Sequence, residues 1–249
     1  MRNILTAVAA IVAVCHLSAA PVKLYDLYRK GDYAGVEASA TAMQKEARSD
    51  AQKGTVLSYV SLARQKQGKY ADTAAAFADI EALAKTLGFA SNHDQVQSAK
   101  LQILQAKKEH ASALELSSGW TGPRTLARRA ASLRALGRYA ESAALFASSG
   151  YANCHFQAAI SARLAKMPEK VYEYSLTAFA NGEVKDPAAA IRLVNAVIDA
   201  DYTGTAVTAA KVKELLQTVN RKYSRRLVVG QPSKWDELIQ LVRQTLETY

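Results

Sequence analysis

One short turn recurs three times in this chain: Gly31-Asp32-Tyr33-Ala34, Gly68-Lys69-Tyr70-Ala71 and Gly137-Arg138-Tyr139-Ala140. Each copy lies between two helix-like stretches, and an alanine-rich apolar face follows each. The first two glycines stand 37 positions apart and the next two 69, close to twice that. A period of about 34 to 40 residues built as helix–turn–helix is that of an α-solenoid, whose helix pairs bury their apolar stripes by stacking on one another. Apolar residues recur at steps of three and four and Ala dominates, so helices are expected throughout. The one β-branched run, Leu227-Val228-Val229, is too short and too near Gly230 and Pro232 to found a sheet. The fold class read from these patterns is all-α.

The copy around Gly68 shows the grammar in detail. Val56, Tyr59, Val60 and Ala63 share one face of a first helix. Gly68 ends that helix in a backbone conformation that a Cβ disfavours. Tyr70 then turns its ring back between the helices, and Thr73, Ala74, Phe77 and Ile80 form the apolar face of the second helix, with Ala74 letting the axes approach closely. Leu24, Leu27 and Tyr28 precede the Gly31 turn, with Val36, Ala40 and Met43 after it. Leu126, Ala130 and Leu133 precede Gly137, with Ser142, Phe146 and Ser149 after it. A degenerate copy fills the gap: Val96, Ala99, Leu101 and Leu104, then Lys108-Glu109-His110-Ala111, then Ala113, Leu114 and Leu116. There Lys108 takes the place of the turn glycine and His110 that of the tyrosine, which makes His110 a packing residue.

This turn, with an aromatic seven positions after the tyrosine (Phe77 after Tyr70, Phe146 after Tyr139), resembles the tetratricopeptide repeat over residues 20–150, about four helix pairs. The resemblance implies a right-handed α-solenoid whose first helices line a concave surface that binds extended peptides or partner helices. The chain departs from that family in two ways: its first helices lack the usual aromatic–Leu–Gly pattern, and no proline closes each repeat. Carried onto this sequence, the implied groove is lined by Tyr25 and Tyr28, then Ser58, Leu62 and Gln65, then Ser98, Gln102 and Gln105, and finally Arg124, Ala127, Ala131 and Arg134. Glutamines satisfy peptide backbone groups and arginine clamps a carboxylate bidentately.

Residues 151–226 read as degenerate helical repeats. Helices are expected over 152–166 and 169–180 with a turn at Met167-Pro168, then a helix opened by Asp186-Pro187 with Ile191, Val194, Val197 and Ile198 inward. Asp199 to Gly204 is a polar break, and a helix over about 205–226 follows it, ending on Arg221, Lys222, Arg225 and Arg226. The segment 227–249 reads as a C-terminal capping helix, with Trp235, Leu238, Ile239, Val242 and Leu246 along one face to cover the last groove of the array. A membrane-surface or partner-docking helix is the rival reading of that segment.

At the other end, Arg2, the apolar stretch Ile4–Val14 and the small residues Ser18-Ala19-Ala20 have the layout of a secretory signal peptide, expected over residues 1–19. A leader retained as an anchor, or lipidation at Cys15 (against which Val14 is bulky), are the alternatives. An exported chain in a periplasm, in a cell envelope or secreted is the expectation, with no transmembrane segment after cleavage. The cleaved chain holds one cysteine, Cys154, so no internal disulfide supports it. Cys154 precedes His155; neighbours on a helix point about 100° apart and no further Cys or His lies at ligand spacing, so Cys154 reads as a buried structural residue.

The net charge is +10, concentrated in 98–140, with eight Lys/Arg against two acidic residues, and in 205–249, with eight against four. No glycine-rich phosphate loop or nucleophile elbow occurs, and His93, His110 and His155 have no paired helical spacing. The expectation is a non-catalytic interaction module without cofactor or metal, holding a peptide or protein. The alternatives are a basic binder of anionic envelope surfaces, lipid or glycan, and a structural scaffold in an envelope assembly. Nucleic acid is disfavoured as a partner, because the basic residues lack interleaved exposed aromatics and the chain is expected to be exported.

Overall fold

A computed structural model of the chain describes residues 23–184 together with positions 189, 192, 193, 196, 197 and 200. The described residues are helical and contain no strand. Ten helices are placed: α1 (23–29), α2 (Tyr33–Glu46), α3 (Asp50–Lys66), α4 (Thr73–Thr86), α5 (Asp94–Ala106), α6 (His110–Leu116), α7 (Pro123–Ala135), α8 (Tyr139–Ser148), α9 (Cys154–Leu164) and α10 (Pro168–Ala180). The six further positions are helical too. The expected signal peptide, the expected helix start at Asp186-Pro187, Ile191, Val194 and Ile198, the helix expected over 205–226 and the expected capping segment with Trp235 lie outside the described residues. The chain divides into two compact units, Met1–Trp120 and Thr121–Tyr249.

The recurrent turn is one hydrogen-bonded device repeated. At Gly68, φ +76°, the Gly68 N–H donates to the Gln65 carbonyl at 3.1 Å and the Lys69 N–H to the Arg64 carbonyl at 3.0 Å. This double closure satisfies the last carbonyls of α3 and requires a left-handed residue. Gly31 and Gly137 repeat the pattern. So does Lys108, φ +64°, with its N–H on the Gln105 carbonyl and that of Glu109 on Leu104. The degenerate copy thus keeps the turn without its glycine. Lys166, φ +56°, closes α9 in the same way, which places the α9–α10 turn one residue ahead of Met167-Pro168.

The second copy differs in length. Tyr33 and Tyr139 open their helices, whereas α4 starts three residues after Tyr70, where the Asp72 carboxylate accepts from the Ala74 N–H at 2.7 Å. Tyr70 is buried in the turn, and its hydroxyl donates to Asp79 Oδ2. Arg64 reaches Asp79 at 2.6 Å and Glu37 at 3.2 Å, and Lys69 reaches the other Glu37 oxygen at 2.6 Å. Four segments (α2, α3, the turn and α4) are tied by these charges.

In the first unit α2 packs on α3, α3 on α4 and α5, α4 on α5, and α5 on α6. Contact between alternate helices, α3 with α5, is what stacked helix pairs produce. The expected stripes before and after Gly31 are buried or half-buried. On α4 the stripe is Ala76, Ile80, Leu83 and Ala84, while Ala74 faces solvent, contrary to the close-approach role expected of it. The inward face follows Ala76, Ile80, Leu83 and Ala84 at helical steps of four and three, and Ala74, two residues before Ala76, stands about 200° round the helix from it. The close approach is made by Gly54 of α3, whose missing Cβ leaves room for the Gln95 side chain of α5. Helix α5 carries two stripes: Val96, Ala99 and Ile103 face the α3–α4 core, and Leu101 and Leu104 meet Ala113 and Trp120. Leu116, expected inward, is exposed at the end of the short α6; the neighbouring Ser117 is buried instead, its hydroxyl on the Ala113 carbonyl.

In the second unit α7 packs on α8, α8 on α9 and α9 on α10. Alanines 143, 159, 162 and 178 surround Val171 and Phe179, and small side chains there let the helices approach closely. The buried Ser142 hydroxyl lies 2.7 Å from the Ala130 carbonyl and 2.9 Å from the Ser161 hydroxyl, linking α7, α8 and α9. Ala189, Leu193, Ala196, Val197 and Ala200 extend this core, so Val197 is inward as expected.

Candidate functional site

Eight of the ten groove positions with polar or large side chains belong to the first unit. Tyr25 and Tyr28 are on α1, Ser58, Leu62 and Gln65 on α3, and Ser98, Gln102 and Gln105 on α5. Helices α3 and α5 run parallel. At their starts the Gln95 amide reaches the Asp50 carbonyl, and at their ends Lys107 reaches the Ala71 carbonyl at 3.1 Å and the Thr73 hydroxyl at 2.5 Å. The first helices α3 and α5 of successive pairs therefore lie side by side in this unit.

The tyrosines gather. Tyr28 packs its ring 5.8 Å from Tyr59 and 5.5 Å from Tyr33, and Tyr25 meets Tyr59 edge-on at 6.4 Å. Tyr25 is 45% exposed, and the Arg29 guanidinium lies 5.5 Å from its ring. Burial, then the neighbouring tyrosines, pushes the Tyr28 and Tyr59 hydroxyls above the usual phenol range, so both stay protonated donors. Tyr59 was assigned to the apolar stripe by its spacing; that spacing gives no sign that it joins α1 and α3 aromatically.

The amides behave differently from one another. Gln65 Oε1 and Gln102 Oε1 are covered and accept no hydrogen bond among the described residues. An unpaired covered acceptor is a standing cost of about 1–3 kcal/mol. Ser98, by contrast, is only 8% exposed, which withdraws it from any surface. Ser58, Leu62 and Gln105 are half-buried. His110 opens α6 with its Nδ1 covered and unpaired, in keeping with a packing residue.

Arg124 and Arg134 lie on α7, in the second unit, and both are engaged there. Arg124 donates to the Tyr151 hydroxyl at 2.9 Å and stacks over that ring; Arg134 donates to Gln157 Oε1 at 2.8 Å and stacks over Phe146. Burial pushes the Arg134 pKa down from its ordinary value. Ala127 and Ala131 pack half-buried beside Phe146. Other cations of the basic stretch 98–140 are also paired: Lys100 with Glu81, Lys107 with Glu109 at 3.6 Å and Arg138 with Glu141.

A second constellation escaped the sequence. Cys154 is buried as expected, but it does not diverge from His155: Cys154 Sγ and His155 Nδ1 are 3.3 Å apart in the first turn of α9. Glu183, beyond α10, completes the group. Its Oε1 lies 2.8 Å from His155 Nδ1 and 3.9 Å from Cys154 Sγ, while its Oε2 accepts from the Phe156 N–H at 2.9 Å. Glu183 thereby caps α9, a task that Asn153, in a left-handed conformation, leaves undone. Burial, then the Glu183 charge, pushes the Cys154 thiol up, so the thiol is held protonated and is a poor nucleophile on its own. The three donor atoms lie within 4.8 Å of one another, the set a soft divalent metal takes.

Comparison with protein-family models, with curated proteins and with solved structures finds no match. The likeness to a helical repeat thus stands on the turn and on the order of helix packing. No helix of the described residues is long and apolar enough to cross a membrane.

Proposed function

We propose that the chain is a non-catalytic, exported interaction module of the tetratricopeptide type, which holds an extended peptide or partner segment along the first helices of its first unit. The observation that carries this reading is the tyrosine cluster of α1 and α3, with Tyr25 open to solvent. Tyrosines supply large contact area and a polar tip at little cost in side-chain entropy, and they concentrate at the energetic centres of interfaces. Gln65 and Gln102 support it: a peptide N–H gives each amide oxygen the donor it lacks, once the amide turns about its last torsion. The ion pairs of Lys100, Lys107 and Arg138 within their own units leave less free charge for an anionic surface than the composition implies.

The test is a pull-down from an envelope extract with residues 20–249 as bait, at low and at high salt, beside the variants Tyr25→Ala and Gln65→Leu/Gln102→Leu. A partner held at both salts by the parent and released by the variants is expected. Leucine in place of an unpaired amide should leave the fold as stable or more so, by about 1 kcal/mol per site, which separates lost binding from lost folding. Capture that vanishes at high salt would assign the protein to anionic surfaces instead. Equal capture by the variants would show that the partner binds elsewhere.

A further inference from the structure

We propose that Cys154 Sγ, His155 Nδ1 and Glu183 Oε1 are the three protein ligands of a divalent metal site of the Zn²⁺ type in the second unit, tying the start of α9 to the segment after α10. A nucleophilic Cys–His–Glu arrangement places the nucleophile on one imidazole nitrogen and the orienting carboxylate on the other. Here thiol and carboxylate both meet Nδ1, at 3.3 and 2.8 Å, and the Asn181 amide approaches the same atom at 3.4 Å. One nitrogen offers one lone pair or one proton, so it cannot serve all these neighbours by hydrogen bonds; a cation at the centre serves thiolate, imidazole and carboxylate together.

The dimensions agree. Tetrahedral zinc, with Zn–S about 2.3 Å and Zn–N or Zn–O about 2.0–2.1 Å, spaces its ligand atoms about 3.3–3.6 Å apart. The present separations of 2.8, 3.3 and 3.9 Å bracket that range, and shifts of about half an ångström bring the three atoms onto it. Capping does not account for the cluster, because the cap uses only Glu183 Oε2 and leaves Oε1 free to turn toward the thiol and imidazole. The amino end of α9 opposes a cation with about half an elementary charge. Thiolate and carboxylate outweigh it with a full negative charge each. One sulfur, one imidazole and one carboxylate select Zn²⁺ over Mg²⁺ or Ca²⁺, which prefer oxygen alone. The His155 side chain is 21% exposed and Asn181 lies at the surface, so solvent reaches the fourth position.

The experiment is titration of the full chain, stripped with chelator, first with Co²⁺ and then with Zn²⁺. The expected result is one equivalent of Co²⁺ with a thiolate-to-cobalt charge-transfer band, displaced by Zn²⁺. In Cys154→Ser the band is lost. His155→Gln and Glu183→Gln should each weaken Zn²⁺ binding at least about 100-fold, the upper end of what losing an outer partner alone costs. Glu183→Gln keeps an amide oxygen for the Phe156 N–H, and His155 is partly open, so helical circular dichroism should be unchanged in both. The proposal is overturned if the parent chain shows no thiolate band. It is overturned equally if the band persists in Cys154→Ser, since Cys15 is the other thiol, or if the Gln variants bind Zn²⁺ as the parent does.

Discussion

The turn at Gly68 and its glycine-free counterpart at Lys108 make a reciprocal experiment. Both residues sit in the left-handed region, φ +76° and +64°, inside the same pair of hydrogen bonds. A Cβ built on Gly68 has nothing within 4 Å, so Gly68→Ala adds no clash and reports backbone conformation alone. A residue with a Cβ loses about 1–2 kcal/mol in this region. The alanine recovers about 0.4–1 kcal/mol of that by restricting the unfolded chain. The net expectation is a loss of about 1 kcal/mol. Lys108 is exposed, and Lys108→Gly should recover a similar amount. With a urea slope of about 2 kcal/mol/M, the two variants should move the denaturation midpoint by about 0.5 M in opposite directions. Gly68→Asn should fall between the parent and Gly68→Ala, because asparagine tolerates the left-handed region. If Asn costs more than Ala, size and not backbone conformation governs the turn, and the reasoning fails. A destabilised Lys108→Gly would refute the claim that the lysine stands in a glycine's place.

Two further variants probe the units separately. Burial pushes the Glu37 carboxyl up, but the hydrogen bonds and charges of Lys69 and Arg64 outweigh it and leave its pKa below the usual range. A depressed folded-state pKa adds stability above the unfolded value of about 4.3, and that stability is lost as pH falls through the folded value. Glu37→Gln should therefore cost about 1 kcal/mol at pH 7, after allowance for its partial exposure, and nothing well below the folded pKa; a deficit that persists in acid contradicts the ion-pair account. Phe179 is fully buried among the alanines of α8, α9 and α10. Phe179→Ala should cost about 3–5 kcal/mol, with amide exchange accelerated in α9 and α10; a cost under about 1 kcal/mol would mean that the small residues around it collapse into the space.

What was legible in the sequence is what local chemistry encodes. The glycine turn, the stripes around Gly31 and Gly137 and the degenerate copy at Lys108 all follow from steps of three and four and from one backbone closure. What was not legible depends on helix rotation and on pairs distant in the chain. The face of α4 turned toward Ala76, Ile80, Leu83 and Ala84, while Asp72, two residues past Tyr70, caps its first amides. Ser98 sank because α5 is packed on both sides, and α5 shows this only through its second stripe, Leu101 and Leu104. The arginine end of the expected groove was claimed by Tyr151 and Gln157, which no spacing rule links to Arg124 and Arg134.

The metal-ligand cluster had a signal that adjacency rules overlook. Helices α9 and α10, of 11 and 13 residues, are joined by three residues. At 1.5 Å per residue the two legs nearly match, about 16 and 20 Å. An antiparallel pair of that shape returns the chain to its starting level, so the residue just past α10 stands beside the first turn of α9. Gly182, φ +71°, then turns the backbone, and Glu183 is the acidic residue delivered to Cys154 and His155. The convergence of side chains 28 positions apart is thus a consequence of two helix lengths and one turn. Lengthening α10 by two residues would rotate Glu183 by about 200° and abolish both the cap on Phe156 and the third ligand together. A single-residue change at Glu183 separates them.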